Sequence, residues 1–276
     1  MKRLITLLLA MGALSLSAQT LTLKWTTEPS LRVPESILLD AKNNVLYVSS
    51  IDGTPQDKDG NGFISQVTLD GKIKNLKWVT GLDAPKGMGL YNNNLYIADI
   101  SRLVTVDIST GKITNKLDIE GATFLNDITV DKTGNVYVSD SNTGKIHIVK
   151  NGMAEVYYEG PEIKGVNGLL AGANELYVVD FATGKNFKLS KDKKLTYFCT
   201  TAEGADGVVP VGKDEYLVSS WHGEVAYVNS KGEAQKLLDT RDQKFSAADI
   251  EYDPKTKTLF VPTFNANTVM AYTFSY

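Results

Sequence analysis

The 276-residue chain has one cysteine, two histidines and three tryptophans. A lone Cys199 excludes an internal disulfide, and in its Tyr197-Phe198 setting it reads as a buried filler rather than a nucleophile. With only His147 and His222 beside it, the chain lacks the clustered nitrogen and sulfur ligands of a zinc or copper site. Positive charge is also scarce. Lysine and arginine number 29 against 32 acidic residues, which argues against nucleic acid or an anionic membrane as a partner. The apolar run at residues 4–16 is too short to span a bilayer.

That run instead has the setting of a secretory signal. Lys2-Arg3 precedes it, and the small residues Ser15, Ser17 and Ala18 close it, giving the three regions of a signal peptide. Cleavage near Ala18 is expected, leaving residues 19–276 as a mature domain that is periplasmic or secreted. No cysteine stands near Ala18, so a lipid anchor is not expected. Without Lys2 and Arg3 the net charge becomes about −5.

What the chain has in abundance is one short pattern. Residues 124–140, FLNDITVDKTGNVYVSD, contain two apolar runs separated by Asp131-Lys132-Thr133-Gly134-Asn135, a β-hairpin with a turn of residues suited to it. The second run recurs with Tyr47, Tyr96, Tyr137, Tyr177, Leu217 and Phe260 at its centre, at spacings of 49, 41, 40, 40 and 43 residues. Strands at a period of 40–50 residues specify an all-β fold, a six-bladed β-propeller. The last repeat supplies three strands, so LTLKW at residues 21–25 is expected to complete the sixth blade and close the ring.

Strands alternate in direction within a blade, so the starts of the innermost strands meet at one mouth of the central channel. The residues there are Glu35, Lys86, Asn126, Asn167, Asp206 and Asp249, each 10 to 12 residues before its marker. Three carboxylates and two amides in one ring are oxygen donors suited to a hard cation, Ca²⁺ above all, which takes about 6 to 8 oxygens. Such a cation can polarise a carbonyl and steady the oxyanion formed when water attacks it. Lys86 could bind a substrate carboxylate or pair with Glu35 or Asp249. His222, in SSWHGEV, is placed to reach the same mouth as a proton shuttle or substrate contact; His147 alternates with isoleucines and reads as structural. Residues 57–64 resemble the start of an EF-hand loop, but Thr68 stands where its bidentate glutamate belongs. They read instead as an extended rim.

Glu35 in VPESILLD, Asn126 in LNDITVD, Asn167 in VNGLLAGANELYVVD and Asp206 in ADGVV resemble the four channel motifs of the SMP-30/gluconolactonase (regucalcin-like) family. The resemblance covers the whole mature chain in repeat order. It implies a six-bladed propeller with one central divalent metal, typically Ca²⁺, held by Glu35, Asn167 and Asp206. It also implies that Asn126 binds metal or substrate, and that Asp206 assists the attacking water in lactone hydrolysis, with a small molecule as substrate. Two positions depart from the family: Phe124 stands where sugar-lactone members carry an arginine, and Ser36 where glycine usually comes after the glutamate. The alternative is a non-catalytic exported propeller that binds a ligand or a protein on its upper face. A virginiamycin-lyase-like or strictosidine-synthase-like activity fits less well, because neither relation predicts the Glu, Asn, Asn, Asp set as well.

Overall fold

In the computed structural model, which describes residues 19–276, the repeating hairpins fold as their turns dictate. The signal-peptide expectation falls on residues 1–18 and lies outside the described residues. In the third repeat, Asp131 Oδ1 accepts hydrogen bonds from the backbone N–H of Thr133 (2.8 Å) and Asn135 (3.1 Å). Gly134 supplies the left-handed residue of that turn, with φ of 87°. Asp40 and Asp253 brace the corresponding turns of the first and last repeats in the same way.

The chain begins with β1 (Thr20–Thr26). Blade 1 then comprises β2 (Pro34–Asp40), β3 (Val45–Ser50), β4 (Gly62–Val67) and β5 (Ile73–Leu82). Blade 2 comprises β6 (Pro85–Tyr91), β7 (Asn94–Asp99), β8 (Arg102–Asp107) and β9 (Lys112–Asp118). Blade 3 has β10 (Leu125–Val130), β11 (Val136–Asp140), β12 (Lys145–Lys150) and β13 (Met153–Glu159). Blade 4 has β14 (Val166–Ala171), β15 (Glu175–Asp180), β16 (Lys185–Ser190) and β17 (Leu195–Thr200). Blade 5 has β18 (Ala205–Gly212), β19 (Glu215–Ser220), β20 (Glu224–Val228) and β21 (Ala234–Asp239). Blade 6 is β22 (Glu251–Asp253), β23 (Thr258–Pro262) and β24 (Val269–Ser275), with β1 paired antiparallel to β24 as its outer strand. The chain is therefore an all-β, six-bladed β-propeller closed by its N-terminal strand. Among the described residues no helix is long and apolar enough to cross a membrane.

The core lies between blades. Tyr47, Ile64 and Val79 of blade 1 pack on Met88, Leu95, Ile97 and Val104 of blade 2, and Tyr137 and Ile146 of blade 3 on Leu169, Val178 and Phe187 of blade 4. Full burial of each such side chain is worth about 1.5–3 kcal/mol, which is why the marker positions are large and apolar or aromatic. Cys199 belongs to this packing, buried against the Tyr177 hydroxyl at 3.7 Å.

Two repeated devices aim side chains at the axis. The first is an aspartate ending the second strand of a blade, which accepts N–H groups from the connection entering the innermost strand. Asp99 holds Asp83 and Ala84, Asp140 holds Thr123 and Phe124, and Asp180 holds Lys164 and Gly165. The second is a register shift at the start of the innermost strand, between Pro34 and Ser36, Pro85 and Met88, Leu125 and Ile128, Val166 and Leu169, and Ala205 and Val208. Such a bulge re-aims the residue it contains. Here it turns Glu35, Lys86, Asn126, Asn167 and Asp206 to the cavity at one mouth.

Asp249 does not join them. Ser36 bridges to Asp249 as a parallel partner, so the residue of blade 6 level with Glu35 is Ala248. Asp249 lies one layer deeper, with its carboxylate accepting from Ser36 Oγ at 2.5 Å, and it lines the opposite mouth together with Asp127. Each floor residue stands three positions before the strand partner of its marker, as Glu35 does before Leu38, the partner of Tyr47; the partner of Phe260 is Glu251, so the equivalent position in blade 6 is Ala248 and Asp249 is one residue past it. In the same layer, a Cβ at Gly168 would overlap the Asp206 carbonyl oxygen; glycine lets the innermost strands converge this closely.

Candidate functional site

The five aimed residues form the floor of a cavity of about 450 Å³ at one end of the channel. Asn167 Nδ2 donates to Asp206 Oδ1 at 2.9 Å, which turns the Asn167 oxygen away from Asp206. That oxygen is buried with no hydrogen-bond partner among the described residues, and so is Glu35 Oε2. Asn126 Nδ2 donates to Ser141 Oγ at 3.1 Å, and Ser141 in turn donates to the Val166 carbonyl at 2.7 Å. With its amide nitrogen so engaged, Asn126 leaves its oxygen as the group available to a ligand.

The floor is electrostatically tense. Burial raises the Glu35 carboxyl well above its ordinary value, Asp206 adds to the rise, and Lys86 opposes it. Burial likewise raises Asp206, with Asp249 adding and the Asn167 hydrogen bond opposing. Buried oxygens of this kind need a compensating positive charge or protons. Among the described residues, no three Asp, Glu, His or Cys side chains group closely enough to hold a metal ion by themselves. The donor set is two carboxylates and two amide oxygens. Oxygens alone suit Ca²⁺ or a similar hard cation far better than zinc or copper, and the two unpartnered buried oxygens on one floor fit such an ion.

Lys86 takes a different part from the one its position suggests. Its Nζ donates to the carbonyls of Pro55 (2.9 Å) and Ala84 (3.0 Å) and sits 4.4 Å from the centroid of the Phe124 ring. Two carbonyls and an aromatic face thus occupy the ammonium, where Glu35, Asp249 or a substrate carboxylate was expected. Burial draws its pKa down to about 8 against the pull of Glu35 and Asp99. Phe124, the departure at the family's arginine position, is the aromatic partner of this lysine. Pro55 belongs to the blade 1 loop, so Lys86 ties that loop to blades 2 and 3. Lys86→Met is expected to speed amide hydrogen exchange in residues 52–60 at least about tenfold while β6 to β8 stay protected, since hydrogen bonds to a charged group are each worth about 1.5–3 kcal/mol. Unchanged exchange in the loop would show that the lysine does not hold it.

The EF-hand-like stretch is satisfied internally. Asp59 accepts from the backbone and side-chain nitrogens of Asn61 (3.0 and 2.8 Å), and Gly60 N–H reaches Asp83 at 3.2 Å. None of residues 57–64 lines the cavity; the rim on this side comes from Ile51 and Pro55, earlier in the same loop. His222 is exposed and does not line the cavity; its ring packs 6.2 Å from Phe181 and 5.6 Å from Trp221. The neighbouring Trp221 lines the wall instead. His147 is buried on β12, 4.0 Å from Asp140, and burial lowers its pKa, consistent with a structural place.

The cavity wall went unread in the sequence. Phe181, Trp221 and Phe264 stand four residues after the markers Tyr177, Leu217 and Phe260, and Ile51 stands four after Tyr47. At the same offset blade 2 has Ile100 and blade 3 has Ser141, the exception that holds Asn126. Apolar residues in five of six copies, each directly after a polar one (Ser50, Asp99, Asp180, Ser220 and Thr263), are a signal the alignment of the repeats contains.

The fold and this site define a six-bladed propeller with an oxygen-rich axial cavity. Solved structures similar to the chain share that architecture. A streptogramin B lyase is 11% identical with a TM-score of 0.68, covering 94% of this chain and 98% of its own. A catalytically inactive virginiamycin B lyase from Staphylococcus aureus, crystallised with quinupristin, is 15% identical with a TM-score of 0.66 over 93% of this chain and 99% of its own. A chain of a nidogen/laminin complex is 18% identical with a TM-score of 0.62 over 75% and 80%. At these identities the likeness establishes the fold alone. No protein-family model matches the chain, and no curated protein matches it by sequence; the SMP-30/gluconolactonase resemblance rests on the channel motifs.

Proposed function

We propose that the protein is a divalent-metal-dependent hydrolase, using Ca²⁺, that opens a lactone or related ester in the axial cavity. The observation that carries this reading is the pair of buried, unpartnered oxygens, Glu35 Oε2 and Asn167 Oδ1, on the same floor as Asn126 and Asp206. Glu35, Asn167, Asp206 and Asn126 would hold the cation. When bound it would supply Lewis acidity toward a carbonyl and compensate the buried carboxylates. Asp206, oriented by the Asn167 amide, is the group placed to orient water and receive its proton. Asn126, fixed by Ser141, would orient substrate. The signal-like residues 1–18 support export, with the mature protein periplasmic or secreted.

The alternative, a propeller that binds a ligand without turning it over, is favoured by the absence of a third grouped carboxylate or histidine among the described residues. One experiment separates the two. The purified protein is analysed for metal and assayed on a panel of lactones and aryl esters, with and without chelator. Bound calcium, chelator-sensitive hydrolysis and a loss of at least about 100-fold in kcat for Asp206→Asn are expected. A metal-free protein, or activity indifferent to chelator, would sink the metal dependence, and a panel without turnover would sink the hydrolase reading.

A further inference from the structure

Around the polar floor the cavity is apolar on nearly every side. Phe181, Trp221 and Phe264 come from the loops of blades 4, 5 and 6, Ile51 and Pro55 from blade 1, and Phe124 from the entry to blade 3. Trp221 meets Phe264 edge to face, with centroids 5.4 Å apart and planes at 76°. His222 fills the interval between Phe181 and Trp221 from outside. The aromatic wall is thus braced by its own contacts, and Phe124 is held against the Lys86 ammonium.

The floor is equally particular about what it offers. Each of its side-chain nitrogens is already tied to the protein, Lys86 to Pro55 and Ala84, Asn126 to Ser141 and Asn167 to Asp206, which turns these groups away from a ligand. What remains are oxygens. A polyhydroxylated ring bound here would set several hydroxyls against aromatic carbon, where each gives up water without a replacement. A ligand whose oxygens are gathered at one end loses nothing of the kind, and its body gains contact with the wall. A cavity of about 450 Å³ lies within the range of small-molecule sites, about 300–1,000 Å³. Its enclosure by loops from several blades suits a compact molecule better than a protein segment.

We infer that the cavity selects a small molecule with a hydrophobic, preferably aromatic, body and a single oxygen-rich head directed at Glu35, Asn126, Asn167 and Asp206: an aryl- or alkyl-substituted lactone or ester, and not a sugar lactone. The identity of the head as a reacting ester rests on the proposed hydrolase function; the hydrophobic body rests on the wall alone.

The test uses the calcium-loaded protein with γ-phenyl-γ-butyrolactone and glucono-δ-lactone as competing probes. Each unpaired hydroxyl is worth about tenfold in discrimination, so kcat/KM for the phenyl lactone should exceed that for the gluconolactone at least about 100-fold. Phe181→Ala and Phe264→Ala should each raise KM for the phenyl lactone about tenfold or more with calcium content retained. Binding is read independently through Trp221 fluorescence, because Trp25 and Trp78 lie away from the cavity against Phe260 and Tyr47; Trp221→Phe should abolish the signal. Equal or better turnover of the gluconolactone overturns the proposed ligand class while leaving the hydrolase reading in place. If neither lactone is hydrolysed, a saturable fluorescence change with the lactam analogue of the phenyl lactone, lost in Phe181→Ala, upholds the ligand class and removes the hydrolase. No fluorescence change with either compound overturns the ligand class.

Discussion

Glu35→Gln is expected to raise the melting temperature of the chelated protein at pH 8 while lowering calcium affinity by about 100-fold or more. Both effects have one origin. The Glu35 carboxylate is buried, its Oε2 has no partner, and burial, Asp206, Asp249 and Asp127 all disfavour its charge, with Lys86 the opposing influence. Glutamine keeps the shape and removes the charge. Without a cation the substitution relieves a desolvated anion facing three others, and each kcal/mol so gained raises the melting temperature by about 2–4 °C in a domain this size. With a cation it removes one of two formal charges from the donor set, and charge count is a principal determinant of calcium affinity. Stability and function pull in opposite directions here, as at sites assembled for binding rather than for folding. The measurement is a pair of thermal melts, in chelator and in calcium, with a calcium titration of both proteins. A chelated variant that melts below the parent, or one with unchanged calcium affinity, would refute the assignment of Glu35 to a cation site.

The blades were legible because each repeat carries the same physical problem. A marker such as Tyr47 or Tyr177 must fill the space between two sheets, and an aspartate-led turn such as 131–135 must reverse the chain. Both solutions are local and visible in sequence. The closing strand was legible for a related reason: β22 to β24 make three strands, and LTLKW alternates with no hairpin of its own. Counting back 10 to 12 residues from the markers reaches five of the six ring residues, because each lies three positions before the marker's strand partner while the hairpins themselves vary in length. It fails at Asp249, where Ala248 occupies the level of Glu35, because sequence distance does not record register.

The chemistry of the site was less legible than its membership. Lys86 was recognisable as a cation on the ring. Its carbonyl partners lie 2 and 31 residues away, and the second depends on how the blade 1 loop folds back. Phe124 read as a missing arginine because its ring contact with Lys86 joins different blades. The aromatic wall is the opposite case. Phe181, Trp221 and Phe264 occupy one offset from the markers, so aligning the residues just past each second strand would have exposed them. His222 drew attention as a titratable group while Trp221, beside it, lines the cavity; which of two adjacent residues faces inward is decided by the backbone of the loop.

Thermal stability of the chelated protein should rise as pH falls from 8 to 5.5, the reverse of ordinary acid destabilisation. Burial raises Asp249 to about 7, with the Ser36 hydrogen bond opposing. It raises Glu251 to about 7 against the hydrogen bonds from Leu39 and Tyr252. The folded protein therefore binds these two protons more tightly than the unfolded chain, whose carboxyls titrate near ~4. The resulting stabilisation is fully present below about pH 4 and is lost as pH rises through about 7. Between pH 8 and 5.5 each group contributes about 2 kcal/mol, together a rise of the order of 10 °C in melting temperature. A turn carboxylate works in the other direction. Burial works to raise Asp131, but hydrogen bonds from Thr133 and Asn135 outweigh it and hold the group at about 2, so its contribution is present above about pH 4 and lost as pH falls through 2. A maximum between the two ranges is the expected profile, measured by calorimetry in chelator across pH 3 to 8.5. Asp249→Asn should flatten the upper limb by about half, and a profile that climbs steadily toward pH 8 in the parent would contradict charged burial at this end of the channel.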